Sequence, residues 1–394
     1  MTIENIAFHT MGGDQWAVGP IYLKNLFSAL QQVYNNKVKS HLLIPEINEK
    51  LQNYIDFVEP NKILVSKIPQ RWSVSWGING LAKRIFSRDI ITERFLKKQN
   101  IEAVFGYSMF YKYEGIATIS YFPDFQYKHL SQMFSREESE LYDYEFREIA
   151  KNTTRIILWT EAVKKDFEVF LPTHVHKVRL LQPLSHVPEK IYNYDLNSIL
   201  KLYSLPEKFI YLPNQFWKHK NHEIVFRAVK ILKERGTKVT IVCTGNSNDY
   251  RHPTYFKELC QKLSSWRIND QIMYLGLIPH EHVFLLIRQS ICLINPSLLE
   301  GWGSTVDEAI CVGKKVLLSD IPAHREHNAL KAIFFNPNDC EELVEKIDKI
   351  WKKDLPGPDF DLEAKARQNL SIRIKTYANS FISIVQEAIR EIKG

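Results

Sequence analysis

The chain has 394 residues, 45% of them hydrophobic and 25% charged, and a formal net charge of +7 at pH 7. That length suffices for two ordinary domains with separate cores, and the composition is that of a globular protein rather than a disordered or fibrous one. No run of about 18 apolar residues occurs, so no spanning helix is expected. Residues 1–8 lack a basic region followed by a long apolar core, which argues against secretion. Cys243, Cys260, Cys292, Cys311 and Cys340 are scattered without a Cys-x-x-Cys pair, a pattern of reduced core thiols rather than disulfides or zinc ligands. The cytoplasm is the expected compartment.

Taken in chain order, the first half alternates short apolar runs with helical stretches. Strands are predicted at 5–9, 40–44, 103–105, 116–121, 155–160 and 175–181. The first is followed by a loop, 10–20, that contains Gly12 and Gly13. The loop is not Gly-x-Gly-x-x-Gly, so a dehydrogenase reading gains nothing from it. Residues 62–98 carry nine basic against two acidic side chains, a surplus equal to that of the whole chain, with Trp72, Trp76, Phe86 and Phe95 interleaved. That mixture suits peripheral contact with an anionic membrane surface or a lipid-linked acceptor, and equally a solvated helical face with buried aromatics. A single-stranded nucleic acid would also suit it, but nothing else in the sequence supports nucleic-acid binding.

Residues 184–206, with Pro188, Pro206 and a Tyr/Asn-rich stretch, read as a connection between domains. The rhythm then repeats, with strands predicted at 209–213, 238–244, 271–275, 291–296, 315–319 and 332–335 and a last helix at 372–392. Alternation of β and α over both halves predicts parallel sheets covered by helices on both faces. The expected architecture is α/β, with two Rossmann-like domains, 1–187 and 188–371, facing each other across a cleft.

Residues 299–309 read Leu-Glu-Gly-Trp-Gly-Ser-Thr-Val-Asp-Glu-Ala, after the apolar run 291–296 and before Gly313. Gly301 and Gly303 therefore fall in a strand-to-helix turn, with Ser304 and Thr305 opening a helix predicted over 305–312. Unbonded N–H groups and the positive end of the helix dipole make that turn a seat for phosphate. Glu300 and Glu308 flank the seat eight residues apart, roughly 12 Å along a helix. Each carboxylate can take charge-assisted hydrogen bonds from sugar or ribose hydroxyls. The bland alternative makes Glu300 a loop residue and Glu308 a helical surface charge. Upstream, the predicted strand 209–213 runs into Asn-Gln-Phe-Trp-Lys-His-Lys-Asn-His at 214–222, so Lys218 and Lys220 leave a strand end near the same seat. A cation there would neutralise charge on a departing diphosphate; otherwise the cluster is a solvated loop. Thr244-Gly245-Asn246 and Gly276-Leu277-Ile278 end two neighbouring strands, where ligands line an open α/β sheet. Neither a Ser/His/Asp triad nor His-x-x-x-His spacing is visible. Asp359-Phe-Asp361 lies in a Pro/Gly-rich surface stretch, so metal dependence is not expected.

The segment 299–309, with Val-Gly-Lys-Lys-Val-Leu-Leu-Ser following it, resembles the donor-site signature of GT-B retaining glycosyltransferases of family 4, of the bacterial polysaccharide type. The resemblance implies a C-terminal helix, 372–394, that returns to the first domain. It implies a hexose transferred from a nucleoside diphosphate sugar to a glycan or lipid-linked acceptor, with the leaving phosphate accepting the acceptor's proton on the same face. No separate cofactor is implied. UDP-glucose is the first expected donor and GDP-mannose the second. The family places an Arg five or six residues before Lys220, where this chain has Asn214 and Gln215. It implies that Gly12 and Gly13 touch the donor phosphate, that Gly245 and the backbone of Leu277 and Ile278 line the nucleotide, and that Trp302 is the motif's aromatic. Residues 121–130 resemble its Pro-Asp-Phe-Gln-His pattern, with Tyr127 in place of His. Asp124 and His129 then become candidates for holding the acceptor hydroxyl, the alternatives being a helix cap and a surface histidine. Competing functions are a UDP-sugar 2-epimerase, which turns over without acceptor, and a non-catalytic nucleotide-sugar sensor. The expected location is therefore the cytoplasm, with peripheral contact at the inner face of the membrane where the basic segment meets it.

Overall fold

The computed structural model describes residues 5–12, 18–35, 37–66, 74–107 and 109–394, apart from the side chains of 74–78 and 85. Gly13 lies outside the described residues, as do Lys67, Arg71, Trp72 and the side chain of Trp76. The chain divides into two compact units, one of residues 1–131, 135–184 and 372–394, the other of residues 132–134 and 185–371.

Among the described residues the first unit holds a seven-stranded sheet: β1 Asn5–His9, β2 Lys39–Ile44, β3 Lys62–Val65, β4 Ala103–Gly106, β5 Ala117–Tyr121, β6 Arg155–Leu158 and β7 Val178–Leu180, in the order β3-β2-β1-β4-β5-β6-β7. The second holds six: β8 Ile210–Leu212, β9 Ile241–Cys243, β10 Ile272–Tyr274, β11 Cys292–Asn295, β12 Val316–Ser319 and β13 Ala332–Phe335, in the order β10-β9-β8-β11-β12-β13. Every pairing is parallel, as between Ile210 and Cys292 or Leu212 and Cys243. Such strands are buried on both faces and so read as continuous apolar runs. Tyr211 packs into one core layer of the second unit while Ile210 and Leu212 pack into the other. In each sheet the strand order reverses once, between β1 and β4 and between β8 and β11. The crevice at such a reversal, outside the carboxyl ends of the strands, is where open α/β sheets bind ligands.

Several expectations shift. β3 lies within the segment read as basic and helical; Ile63, Leu64 and Val65 supply a short edge strand paired with β2. Residues 172–177 form a 3₁₀ turn, so β7 begins only at Val178. The expected connection 184–206 is structured: Ile191, Tyr192, Ile199 and Leu200 enter the second unit's core from a 3₁₀ turn, Glu189–Asn193, and a helix, Leu196–Leu202. The last helix starts at Phe360 and runs 34 residues to Lys393, because Asp359 caps it by accepting from the Leu362 N–H at 3.1 Å. Its later part is anchored in the first unit, where Glu387 accepts from Arg179 at 2.7 Å and Glu391 pairs with Arg155. Cys243, Cys292 and Cys311 are buried, but Cys260 is exposed on the outer side of its helix. Among the described residues no helix is long and apolar enough to cross a membrane.

Candidate active site

The site assembles at the reversal between β8 and β11. β8 delivers Asn214, which is buried, and β11 ends in Asn295. The Asn214 amide donates to Asn295 Oδ1 at 3.1 Å, and its Oδ1 accepts from the Thr305 hydroxyl at 3.3 Å. The two strand ends and the first turn of the helix Ser304–Cys311 are thereby tied into one network. Gly303 opens that helix at φ 94°, a left-handed conformation suited to glycine. A Cβ there would also stand 3.5 Å from the rings of His324 and His327. Gly313 ends the helix at φ 65°; a Cβ would lie 2.3 Å from the Glu363 nitrogen, so only glycine lets the last helix approach so closely.

Lys220 is carried into this network by a 3₁₀ turn, Lys218–Lys220. Asn221, at φ 57°, closes the turn and donates to the carbonyls of Pro296 and Pro337 at 3.2 and 3.0 Å. The Leu298 N–H donates to the His219 carbonyl at 2.8 Å, locking the turn to the end of β11. Lys220 Nζ then lies 2.7 Å from Glu300 Oε1, with side-chain exposures of 17% and 8%. The Ser297 hydroxyl stands 2.7 Å from the same oxygen and equally close to Asn295 Oδ1, so its one hydrogen serves either acceptor. Burial opposes the charge on Glu300, yet Lys220 and these hydrogen bonds outweigh it and hold the carboxyl below the ordinary range. Lys218 differs: its side chain is exposed while its backbone N–H donates to Asp249 at 2.9 Å.

Neutral histidines surround the pair. Burial lowers His324 to about 4 and His222 to about 3, and pushes His219 far below its ordinary value. His324 Nδ1–H donates to the Ser319 carbonyl at 2.9 Å and His222 Nε2–H to the Asn214 carbonyl at 3.3 Å. Gly301 is buried in the turn, and the Trp302 indole, also buried, packs 3.9 Å from the His327 ring. Its backbone, rather than its ring, is therefore what the turn presents. Ser304 and Thr305 are half-buried at the helix start.

On the other side of β8, Gly245 sits at φ 136°, where a Cβ would lie 2.5 Å from the Asn214 carbonyl oxygen. Its N–H donates to the Gly276 carbonyl at 2.9 Å, joining the loops after β9 and β10. Leu277 is exposed and Ile278 half-buried in the second of these loops. Glu308 is buried, and its Oε1 accepts from His280 Nε2 at 2.6 Å. Sequence reasoning treated Glu308 as a lone carboxylate and missed His280. Nothing in the spacing pairs residues 28 apart, and only the adjacency of the loop after β10 to the helix does so.

In the first unit, Asp124 Oδ1 accepts from the N–H of Gln126, the first residue of the short helix Gln126–His129, at 2.9 Å. His129 Nε2 is 2.8 Å from Asp166, and Tyr127 donates to Asp143 at 2.7 Å. Gly12, at φ 68°, follows Met11, whose N–H donates to the Tyr54 hydroxyl at 2.8 Å. In the described part of the basic segment, three cations are in ion pairs: Arg88 with Glu93 at 2.9 Å and, beyond the segment, with Glu114 at 2.7 Å, Lys97 with Glu93 at 3.0 Å, and Lys83 with Asp89 at 2.7 Å. Among the described residues no group of three or more His, Cys, Asp or Glu could hold a metal ion.

The fold is the GT-B fold of glycosyltransferases. It is shared over 100% of this chain and 99% of that chain with a glycosyltransferase from Rickettsia africae, at TM-score 0.68 and 15% identity. It is likewise shared, over 99% of both chains, with the Anabaena protein HepE in complex with UDP and glucose, at TM-score 0.66 and 12% identity. More particularly, residues 201–371, which contain the whole site of the second unit, match the family described as glycosyl transferases group 1. The O-antigen chain mannosyltransferase of Salmonella typhimurium is 26% identical over 172 residues, 41% of this chain and 46% of that enzyme, so the match spans less than half of its length.

Proposed function

We propose that this protein is a retaining, metal-independent hexosyltransferase that uses a nucleoside diphosphate sugar and serves polysaccharide biosynthesis. The observation that carries the reading is the convergence of Asn214, Lys220, Glu300 and Thr305 at one sheet reversal beside the start of the helix Ser304–Cys311. The diphosphate lies over Gly301 and Gly303 against the N–H groups of Ser304 and Thr305, with Lys220 as the countercharge for the leaving group. Glu300 meets the hexose and Glu308 the ribose, while Gly245, Leu277 and Ile278 line the base. Gly12, Gly13 and Lys218 contribute to donor binding, and Asp124 holds the acceptor hydroxyl. No nucleophile is required if the leaving phosphate takes the acceptor's proton. Charge balance at the diphosphate then rests on Lys220 and the helix N-terminus. The acceptor is a glycan or a lipid-linked saccharide, met at the cytoplasmic face of the membrane, with exposed Leu81, Arg84 and Phe86 toward the lipid.

UDP-glucose is the first donor to test. The match to a mannosyltransferase favours GDP-mannose as the second. Incubation with either sugar nucleotide, with release of UDP or GDP followed by coupled assay and the sugar's anomeric configuration by proton NMR, tests the proposal. We expect slow release of the nucleotide with water as acceptor and an α-configured sugar. Interconversion of the intact sugar nucleotide would instead mark an epimerase, and binding without any turnover a sensor.

A further inference from the structure

Glu308 does not stand alone, and its partner comes from the nucleotide side of the sheet. His280 opens the helix His280–Gln289, two residues after Ile278 and directly after Pro279, whose φ of −53° fixes the approach. His280 Nε2 lies 2.6 Å from Glu308 Oε1. A carboxylate oxygen only accepts, so Nε2 carries a proton and donates it to Glu308. The ring packs against Phe284, 4.9 Å away between centroids, and bonds one of the two oxygens, Oε1. The last torsion of a glutamate is soft; one fixed hydrogen bond removes that freedom and leaves Oε2 with its lone pairs in a set direction. The side chains are 26% and 6% exposed, so the bond is shielded while its histidine edge borders the loop after β10.

We propose that His280 is a positioning residue that aims Glu308 at the ribose diol and couples that contact to the loop lining the base. The inference rests on the reading above, in which Glu308 meets the ribose. It makes the protein selective for ribonucleoside over deoxyribonucleoside diphosphates through a residue that touches neither phosphate nor hexose.

Titration calorimetry with UDP, GDP and ADP, with the 2′,3′-dideoxy counterpart of each, and with inorganic pyrophosphate tests this. For whichever ribonucleotide the wild type binds, His280→Ala should weaken binding about tenfold. His280→Gln, whose amide N–H can reach the same oxygen, should recover most of the loss. The dideoxy counterpart and pyrophosphate should bind wild type and His280→Ala alike. Equal weakening of ribose and dideoxyribose ligands, or no weakening of either, overturns the inference while leaving the donor site intact. Should His280→Ala fail to fold, His280→Asn, too short to reach Oε1, takes its place in the same comparison. A wild type that binds none of the three ribonucleotides overturns the proposed function and this inference with it.

Discussion

Lys220 Nζ and Glu300 Oε1 are 2.7 Å apart, so the cation assigned to the diphosphate and the carboxylate assigned to the hexose form an ion pair with each other. Their sequence positions are 80 residues apart, and β8 and β11 bring them together. A pair this buried is costly to break from one side, because the remaining charge loses its partner without regaining water. Under the proposed function, donor binding would exchange partners: phosphate oxygens for Glu300 on the lysine, sugar hydroxyls for Lys220 on the glutamate.

Removing the lysine should affect both stability and rate. Lys220→Ala leaves Glu300 unpaired and should cost about 3 kcal/mol of folding stability, most of it recovered in the double variant Lys220→Ala, Glu300→Gln. Turnover should fall more than donor affinity, since charge on the leaving diphosphate grows in the transition state. Urea unfolding of the four proteins of the double-mutant cycle, with kcat and KM for the active ones, reads both effects. A rise in KM at constant kcat would make Lys220 a binding group only.

The same pair gives the acid limb of stability. The folded-state carboxyl of Glu300 titrates below its ordinary 4.5, so its contribution is fully present above that value and disappears as pH falls through the lower, folded one. Stability measured from pH 7 down to 3 should fall less steeply in Glu300→Gln than in wild type below about pH 4.5. Parallel curves would mean that the pair contributes nothing to the pH dependence.

Gly245 is tightly constrained beside Asn214. At φ 136°, with a new Cβ 2.5 Å from the Asn214 carbonyl oxygen, Gly245→Ala must displace the end of β8. We expect a loss of about 1–3 kcal/mol from the backbone strain alone, together with weaker donor binding because Asn214 anchors Thr305. A stable variant with unchanged binding would detach Asn214 from the site.

Membrane contact, if it governs acceptor access, should depend on Arg84 rather than on Arg88 or Lys97. Arg84 is exposed beside Leu81 and Phe86, whereas Arg88 and Lys97 pair with Glu93. In flotation with anionic vesicles, Arg84→Ala should cost about 1 kcal/mol, and Arg88→Ala should chiefly lower thermal stability. Equal flotation of wild type and Arg84→Ala, or none by either, favours a soluble glycan acceptor.

Much of this was legible in the sequence because buried parallel strands are short apolar runs. β1 and β13 fall on the residues the pattern picked, and the glycines around residues 301–313 mark turns that require them. What was not legible arises from contact across the sheet. The pairing of Glu308 with His280, the burial of Trp302 against His327 and the exposure of Lys218 beside inward-facing Lys220 depend on which way a turn rotates, and no local periodicity encodes that. The residues from 184 to 206 do contain the boundary between the two units, but Val187, Ile191, Tyr192, Ile199 and Leu200 among them also complete a core of the second, which the prolines and polar side chains hid. Asp359 was read as part of a surface stretch because its role, capping the last helix, shows only once Leu362 and Glu363 are known to be buried.

The most direct test of the central claim is the thermal stability of wild type and Glu308→Ala with UDP-glucose, GDP-mannose and the corresponding free diphosphates, each with and without EDTA. A sugar nucleotide at 100 times its Kd should stabilise the wild type by roughly 2.7 kcal/mol, unchanged by EDTA. Loss of one charge-assisted ribose contact in Glu308→Ala should weaken its binding by about 1.5–3 kcal/mol. No shift of the wild type by any of these ligands, or an equal shift in Glu308→Ala, would contradict a nucleotide-sugar site at the reversal between β8 and β11.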